Sequence, residues 1–137
     1  LNINDNFIIG LSNRTNLQGA NNLKKILISL GATVKICETP KSILHFKSEC
    51  SLIDDELILA SERMAKLEYL KYNYNIIELP LGEEFAANSL RINNKLLIPD
   101  GFNKTEEILS KNFNIIKINI DEISMIDAGL SCMSLRW

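Results

Sequence analysis

Asp127 and Cys132 stand five residues apart in the run Ile126-Asp127-Ala128-Gly129-Leu130-Ser131-Cys132-Met133-Ser134-Leu135-Arg136-Trp137, with Gly129 between them. An ionised thiol is a strong nucleophile. A carboxylate beside it can receive a cationic substrate through charge-assisted hydrogen bonds. A flexible turn bearing Asp127, feeding a short apolar strand over Gly129–Leu135, would hold such a pair. The competing reading makes Cys132 a small buried hydrophobe and Asp127 a turn-former before the glycine. His45, in Ile43-Leu44-His45-Phe46-Lys47-Ser48, is the chain's single histidine. Any mechanism that needs an imidazole must therefore use it, as general acid and base to a cysteine from another part of the fold. Its plain alternative is a satisfied core or edge histidine. Arg14, among Ser12, Asn13, Thr15 and Asn16, can present its fork to a carboxylate near helix-start amides, or it is an ordinary solvated arginine. Cys37 and Cys50 read as packing residues, and Lys24-Lys25 and Glu83-Glu84 as solvated faces.

The bulk properties narrow the class of protein. The 137 residues make one domain with a real core. A net charge of -2 offers no basic surface of the kind nucleic-acid binding requires. No apolar run reaches the length of a membrane span, and the first residues lack a basic-then-apolar export signal. Three cysteines without C-x-x-C spacing disfavour a disulfide framework and a zinc site, so no metal is expected. A reducing cytoplasm is the expected setting.

The elements that must position these residues repeat. Leu1-Asn2-Ile3 and Phe7-Ile8-Ile9-Gly10-Leu11 flank the turn residues Asn4-Asp5-Asn6, a hairpin signal. Leu17, Ala20, Leu23, Leu27 and Leu30 follow at helical spacing, with Gly31 where a helix C-terminus wants a left-handed residue. A β-rich run over residues 32–37 is closed by Thr39-Pro40. A second round places Ser51-Leu52-Ile53 and Leu57-Ile58-Leu59 around Asp54-Asp55-Glu56. A helix follows, over roughly residues 62–69, then a strand to Leu79. The third has Leu90-Arg91-Ile92, the turn Asn93-Asn94, Lys95-Leu96-Leu97-Ile98, a capping-box-like helix start at Asn103-Lys104-Thr105-Glu106, and a strand over residues 113–118. The turns recur 50 and then 39 residues apart. The repeats, approximately 1–40, 43–80 and 88–120 with a remnant at 129–137, form a modular α/β architecture in which each unit needs neighbours to bury its faces. Residues at the starts of successive units would converge on one axis, which brings His45 and Cys132 together.

Four motifs, Gly10-Leu11-Ser12-Asn13-Arg14-Thr15-Asn16, Leu44-His45-Phe46-Lys47-Ser48, Ala86-Ala87-Asn88 and the tail from Ile126 to Trp137, resemble in order and spacing the dimethylarginine dimethylaminohydrolases, especially the bacterial type. The resemblance runs along the whole chain and matches the C-terminal half of the family's pattern. It places the chain in the guanidine-modifying, or amidinotransferase, superfamily. That superfamily implies a pentein-type propeller of five ββαβ units, of which this chain would supply about three and an extra strand. It also implies Cys132 as nucleophile, His45 as general acid/base, Arg14 on the substrate α-carboxylate, and Asp127 with the Ile126 carbonyl on guanidinium nitrogens. The implied reaction takes N-omega-methylated arginine to citrulline and methylamine or dimethylamine through a covalent thiouronium, with no cofactor. Family members run to about twice this length, and the further acidic residues of their pocket come from the first half. The chain alone is therefore expected to be inactive, with a complementing N-terminal half or second chain as partner. Arginine deimination or amidino transfer is the rival chemistry. A non-catalytic structural or interaction fragment is the rival of another class.

Overall fold

A computed structural model describes residues 1–134. It contains three sheets of three strands, in the orders β1-β2-β3, β4-β5-β6 and β7-β8-β9. In the first unit β1 (Asn2–Ile3) pairs antiparallel with β2 (Asn6–Leu11), which pairs in parallel with β3 (Thr33–Glu38). The turn between β1 and β2 has both central residues left-handed, Asn4 at φ 47° and Asp5 at φ 64°. That is the turn whose twist suits two-residue hairpins, and Asn and Asp tolerate it best. α1 (Leu17–Ser29) crosses back between β2 and β3; Asn16 caps it by accepting from the Gly19 amide at 2.8 Å, and Gly31 follows it at φ 88°.

The second unit repeats the plan with β4 (Cys50–Asp54), β5 (Leu57–Ala60), two short helices α2 (Glu62–Ala65) and α3 (Glu68–Asn73), and β6 (Asn75–Glu78). The third has β7 (Leu90–Ile92), β8 (Lys95–Pro99), α4 (Asn103–Leu109) and β9 (Asn114–Ile118), and a one-turn α5 (Asp121–Ser124) follows. Each middle strand pairs antiparallel on one side and parallel on the other, so every unit is ββαβ.

Because side chains alternate along a strand, the middle strands β5 and β8 each serve two cores. Ile58 and Ala60 of β5 join Ile3 and Ile8 of the first sheet, together with Met64 of α2 and Leu70 of α3. Leu59, between them, points the other way to Leu96, Ile98 and Leu109 of the third unit. A third cluster joins Leu90 to Ile120 and Leu130. The layers thus alternate sheet and helix. α2 with α3, and α4, are each gripped between their own sheet and the preceding one, while α1 lies against its own sheet.

Four expectations are corrected. The residues 129–134 form turns, not the opening strand of a further unit, because Cys132 N donates to Gly129 O and closes the chain on itself; the rest of that expected remnant, residues 135–137, lies outside the described residues. The stretch around His45 is a bend leading into a 3-10 turn, Phe46–Ser48, and the second unit's first strand starts at Cys50. The helix expected over residues 62–69 is broken at Lys66-Leu67 into α2 and α3. Glu83 is no solvated charge. It caps α4 from outside, accepting from Lys104 N at 3.2 Å, Thr105 N at 2.8 Å and Thr105 Oγ1 at 2.7 Å, where the sequence suggested a capping box.

Candidate active site

Arg14, His45 and Cys132 each follow the end of a strand or turn that the sheets hold in place. Arg14 tips a tight two-residue hairpin at the C-terminal end of β2. Ser12 and Thr15 exchange backbone hydrogen bonds of 3.1 and 3.2 Å across it, and the Ser12 hydroxyl accepts from Arg14 N. The guanidinium is exposed.

His45 is exposed and immediately precedes the 3-10 turn Phe46–Ser48. Two contacts pin that turn. The Phe46 ring is buried against Gly10 of β2, so closely that a Cβ at Gly10 would collide with the ring and with Thr39 Oγ1. The Cys50 thiol, fully buried, donates to Phe46 O at 3.2 Å. Burial pushes that thiol up to about 12, so it stays protonated and serves as a donor. Burial also raises Cys37. Cys132 is the exposed cysteine of the three.

Cys132 rests on Asn88, a buried residue that ends the 3-10 turn Glu84–Ala87. Asn88 Oδ1 accepts from Ser131 N at 2.8 Å, and Nδ2 lies 3.9 Å from Cys132 Sγ. Gly129 lies flat on the same carboxamide, where a Cβ would collide with it. The two 3-10 turns pack on each other, so the turn that follows His45 adjoins the one whose last residue, Asn88, holds the Cys132 segment. Asp127 closes α5 in the left-handed region at φ 56°, with its amide bonded to Ser124 O at 3.1 Å. Asp127 and Ile126 are both exposed. Among the described residues no hydrogen bond or ion pair joins Arg14 or Asp127 to His45 or Cys132.

A cleft of about 630 Å³ runs along the inner strands β1, β4 and β7, lined by Asn2, Leu52, Ser89, Leu90, Ser131 and Ser134 among others. It reaches the site from below through Ser131, the neighbour of Cys132. A second, of about 490 Å³, opens beside the Arg14 hairpin, between Ser12, Asn13, Thr15 and Asn16 on one side and Thr39 and Ile43 on the other. Among the described residues no group of three or more His, Cys, Asp or Glu side chains could hold a metal ion, and no helix is long and apolar enough to cross a membrane. Asn88 was visible in the sequence only as part of Ala86-Ala87-Asn88. Its contacts lie 43 and 44 residues away, and no local pattern encodes that distance.

No family model matches the chain. Over 137 residues it is 34% identical to the N(G),N(G)-dimethylarginine dimethylaminohydrolase of Pseudomonas aeruginosa, covering 98% of this chain and 53% of that protein. The enzyme of the same name from Streptomyces coelicolor is 26% identical, over 99% of this chain and 52% of its own length. The chain thus spans about half the length of the curated relatives it matches. A solved structure of the Pseudomonas aeruginosa enzyme, a cysteine-to-serine variant complexed with citrulline, superposes with a TM-score of 0.94 at 31% identity, covering all of this chain and 53% of that one. A histidine-to-glycine dimethylarginine dimethylaminohydrolase, an adduct with S-methyl-L-thiocitrulline, gives the same score and identity over 54% of its length. At the level of fold alone, an amidinotransferase of Microseira wollei matches with a TM-score of 0.77 at 17% identity, over 91% of this chain and 40% of its own. From end to end, in sequence and in its pentein-type ββαβ units, this chain is similar to about half of a dimethylarginine dimethylaminohydrolase.

Proposed function

We propose that the chain is the nucleophile-bearing, C-terminal part of a hydrolase that converts N-omega-methylated arginines to citrulline and methylamine or dimethylamine. The observation that carries this reading is the 34% identity to the Pseudomonas aeruginosa enzyme over 98% of the chain. Further support comes from the two variant structures: the replaced histidine and cysteine are numbered as far apart there as His45 and Cys132 are here.

In this reaction the Cys132 thiolate adds to the guanidinium carbon and forms a C–S bond. His45 gives a proton to the departing methylamine or dimethylamine as the C–N bond breaks, leaving a covalent thiouronium. His45 then takes a proton from water, whose oxygen adds to the same carbon. Collapse breaks the C–S bond and releases the thiolate, and the added hydroxyl gives its remaining proton to solvent as the carbonyl of citrulline forms. One imidazole can act as acid and then as base because the first step leaves it in the form the second requires. Arg14 pairs with the α-carboxylate in a fork-to-carboxylate contact, and Asp127 and the Ile126 carbonyl accept from guanidinium N–H groups. No cofactor enters. A free thiol nucleophile suits a reducing compartment, and the cytoplasm is the setting in this reading.

Arg14, His45, Asp127 and Cys132 are all exposed and the chain spans about half of its relatives; in this reading turnover requires a complementing half that brings further carboxylates to the guanidinium. The test is citrulline release from dimethylarginine by the chain alone and after mixing with the N-terminal half of the Pseudomonas aeruginosa enzyme, with arginine as the parallel substrate. Citrulline is expected only from the mixture, and faster from dimethylarginine. Release chiefly from arginine, or turnover at ordinary enzyme rates by the chain alone, contradicts the proposal.

A further inference from the structure

We propose that Asn88 is a positioning residue for the Cys132 thiolate, using the two ends of its carboxamide for two tasks. The inference rests on the reading of Cys132 as the nucleophile. The backbone of Asn88 is fixed, since its amide donates to Phe85 O at 3.1 Å and the residue is 3% exposed. An oxygen and not a nitrogen must face the Ser131 amide, because that group is a donor. The 2.8 Å bond to Ser131 N therefore settles the orientation of the carboxamide and turns its NH2 toward Cys132 Sγ. Gly129, without a Cβ, lets the turn settle on the amide plane. The oxygen thus holds the turn that carries the cysteine. The nitrogen supplies a donor to its sulfur, and that contact tightens when the sulfur becomes anionic, as hydrogen bonds to charged acceptors do. In the reaction such a donor favours the thiolate before attack and receives the charge again when the sulfur leaves.

The two tasks separate by substitution. Asn88→Asp keeps an acceptor for Ser131 and loses the donor; Asn88→Ala loses both. The measurement is the second-order rate at which neutral iodoacetamide alkylates Cys132 at one neutral pH, with hydrogen-exchange protection of the Ser131 amide read on the same samples. Asn88→Asp is expected to keep Ser131 protected while alkylation slows roughly tenfold, the worth of one hydrogen bond to a charged group. Asn88→Ala, which adds no charge, should slow alkylation as well, so that repulsion from the new carboxylate is not what slows Asn88→Asp, and it should lose the Ser131 protection. An unchanged rate in Asn88→Asp, or a wild-type rate in Asn88→Ala, overturns the donor role; Ser131 still protected in Asn88→Ala overturns the hold on the turn. Cys50 in the same chain reports folding, since it is labelled only when the core opens. Should Asn88→Asp unfold, Gly129→Ala displaces the carboxamide from the other side and is expected to slow Cys132 alike; a wild-type rate there overturns the proposal. Alkylation needs neither a guanidine nor a complementing half. Absent turnover therefore leaves this test standing, and a negative result here leaves the reaction class standing.

Discussion

The three cysteines occupy three environments, and those environments decide which of them can react. Thiolates, not thiols, attack electrophiles, and burial opposes ionisation. With Cys50 pushed up to about 12 and Cys37 also raised by burial, substoichiometric iodoacetamide at neutral pH is expected to label Cys132 first. Cys50 should remain unlabelled until denaturant is added, as site-resolved mass spectrometry would show. Equal labelling of Cys50 and Cys132 in the folded chain would refute this. Gly10 makes a second residue-level case. A methyl added there enters the space of the Phe46 ring and Thr39 Oγ1, and overpacking of this kind costs about 1–3 kcal/mol. Gly10→Ala should lower the unfolding free energy by that amount in denaturant melts and, by lifting Phe46, disturb the His45 turn. Sequence alone exposed these chemical candidates by type, since one histidine and one arginine among cap residues stand out. It could not show that Gly10 touches Phe46, because that contact joins two different elements.

At the scale of elements, local chemistry explains some ends and distant side chains explain others. The Asn4-Asp5 turn and the Asn16 cap are written where they act, and both were legible. The start of α4 is different. Asn103 does not cap it; Glu83, twenty residues upstream in the linker between units, does so. Burial alone would raise this carboxyl, but the hydrogen bonds from the Thr105 hydroxyl and the Thr105 and Lys104 amides outweigh it and hold the group below its ordinary value of 4.5. A folded-state value below the unfolded one means the contribution is complete above about 4.5 and is lost as pH falls through the lowered folded value. Glu83→Gln should therefore cost about 1 kcal/mol at neutral pH and show a smaller loss of stability on acidification than the parent. Thermal melts of both proteins between neutral and acid pH compare the two. An equal acid sensitivity would remove Glu83 from the account. The tail was misread for a related reason: Leu130, Ser131, Cys132 and Met133 suit a strand by composition. The hold of Asn88 on Ser131, together with the left-handed Asp127, bends them into turns instead.

Across the whole molecule, the repeat was legible because the hairpin turns recur, and the burial of its helices was not. Leu17, Ala20, Leu23, Leu27 and Leu30 stand at helical spacing, yet Ala20 is the buried residue of α1, while Leu17 is 56% and Leu30 77% exposed. The spacing describes a helix correctly but says nothing of how many layers it has to lie between. α2, α3 and α4 have sheets on two sides; α1 has one. In a stack whose units contact mainly their neighbours, stability is close to a sum of unit and interface terms, and a helix with a single interface forms the weakest link. Opening should then proceed directionally, as a zip from one end. Native-state hydrogen exchange is expected to release the α1 amides at a lower free energy than those of β5 and β8, each of which feeds two cores. A complementing half that docks against α1 would protect those amides first. Protection arriving there, ahead of any citrulline, would make the least stable edge of the stack its earliest sensor of assembly.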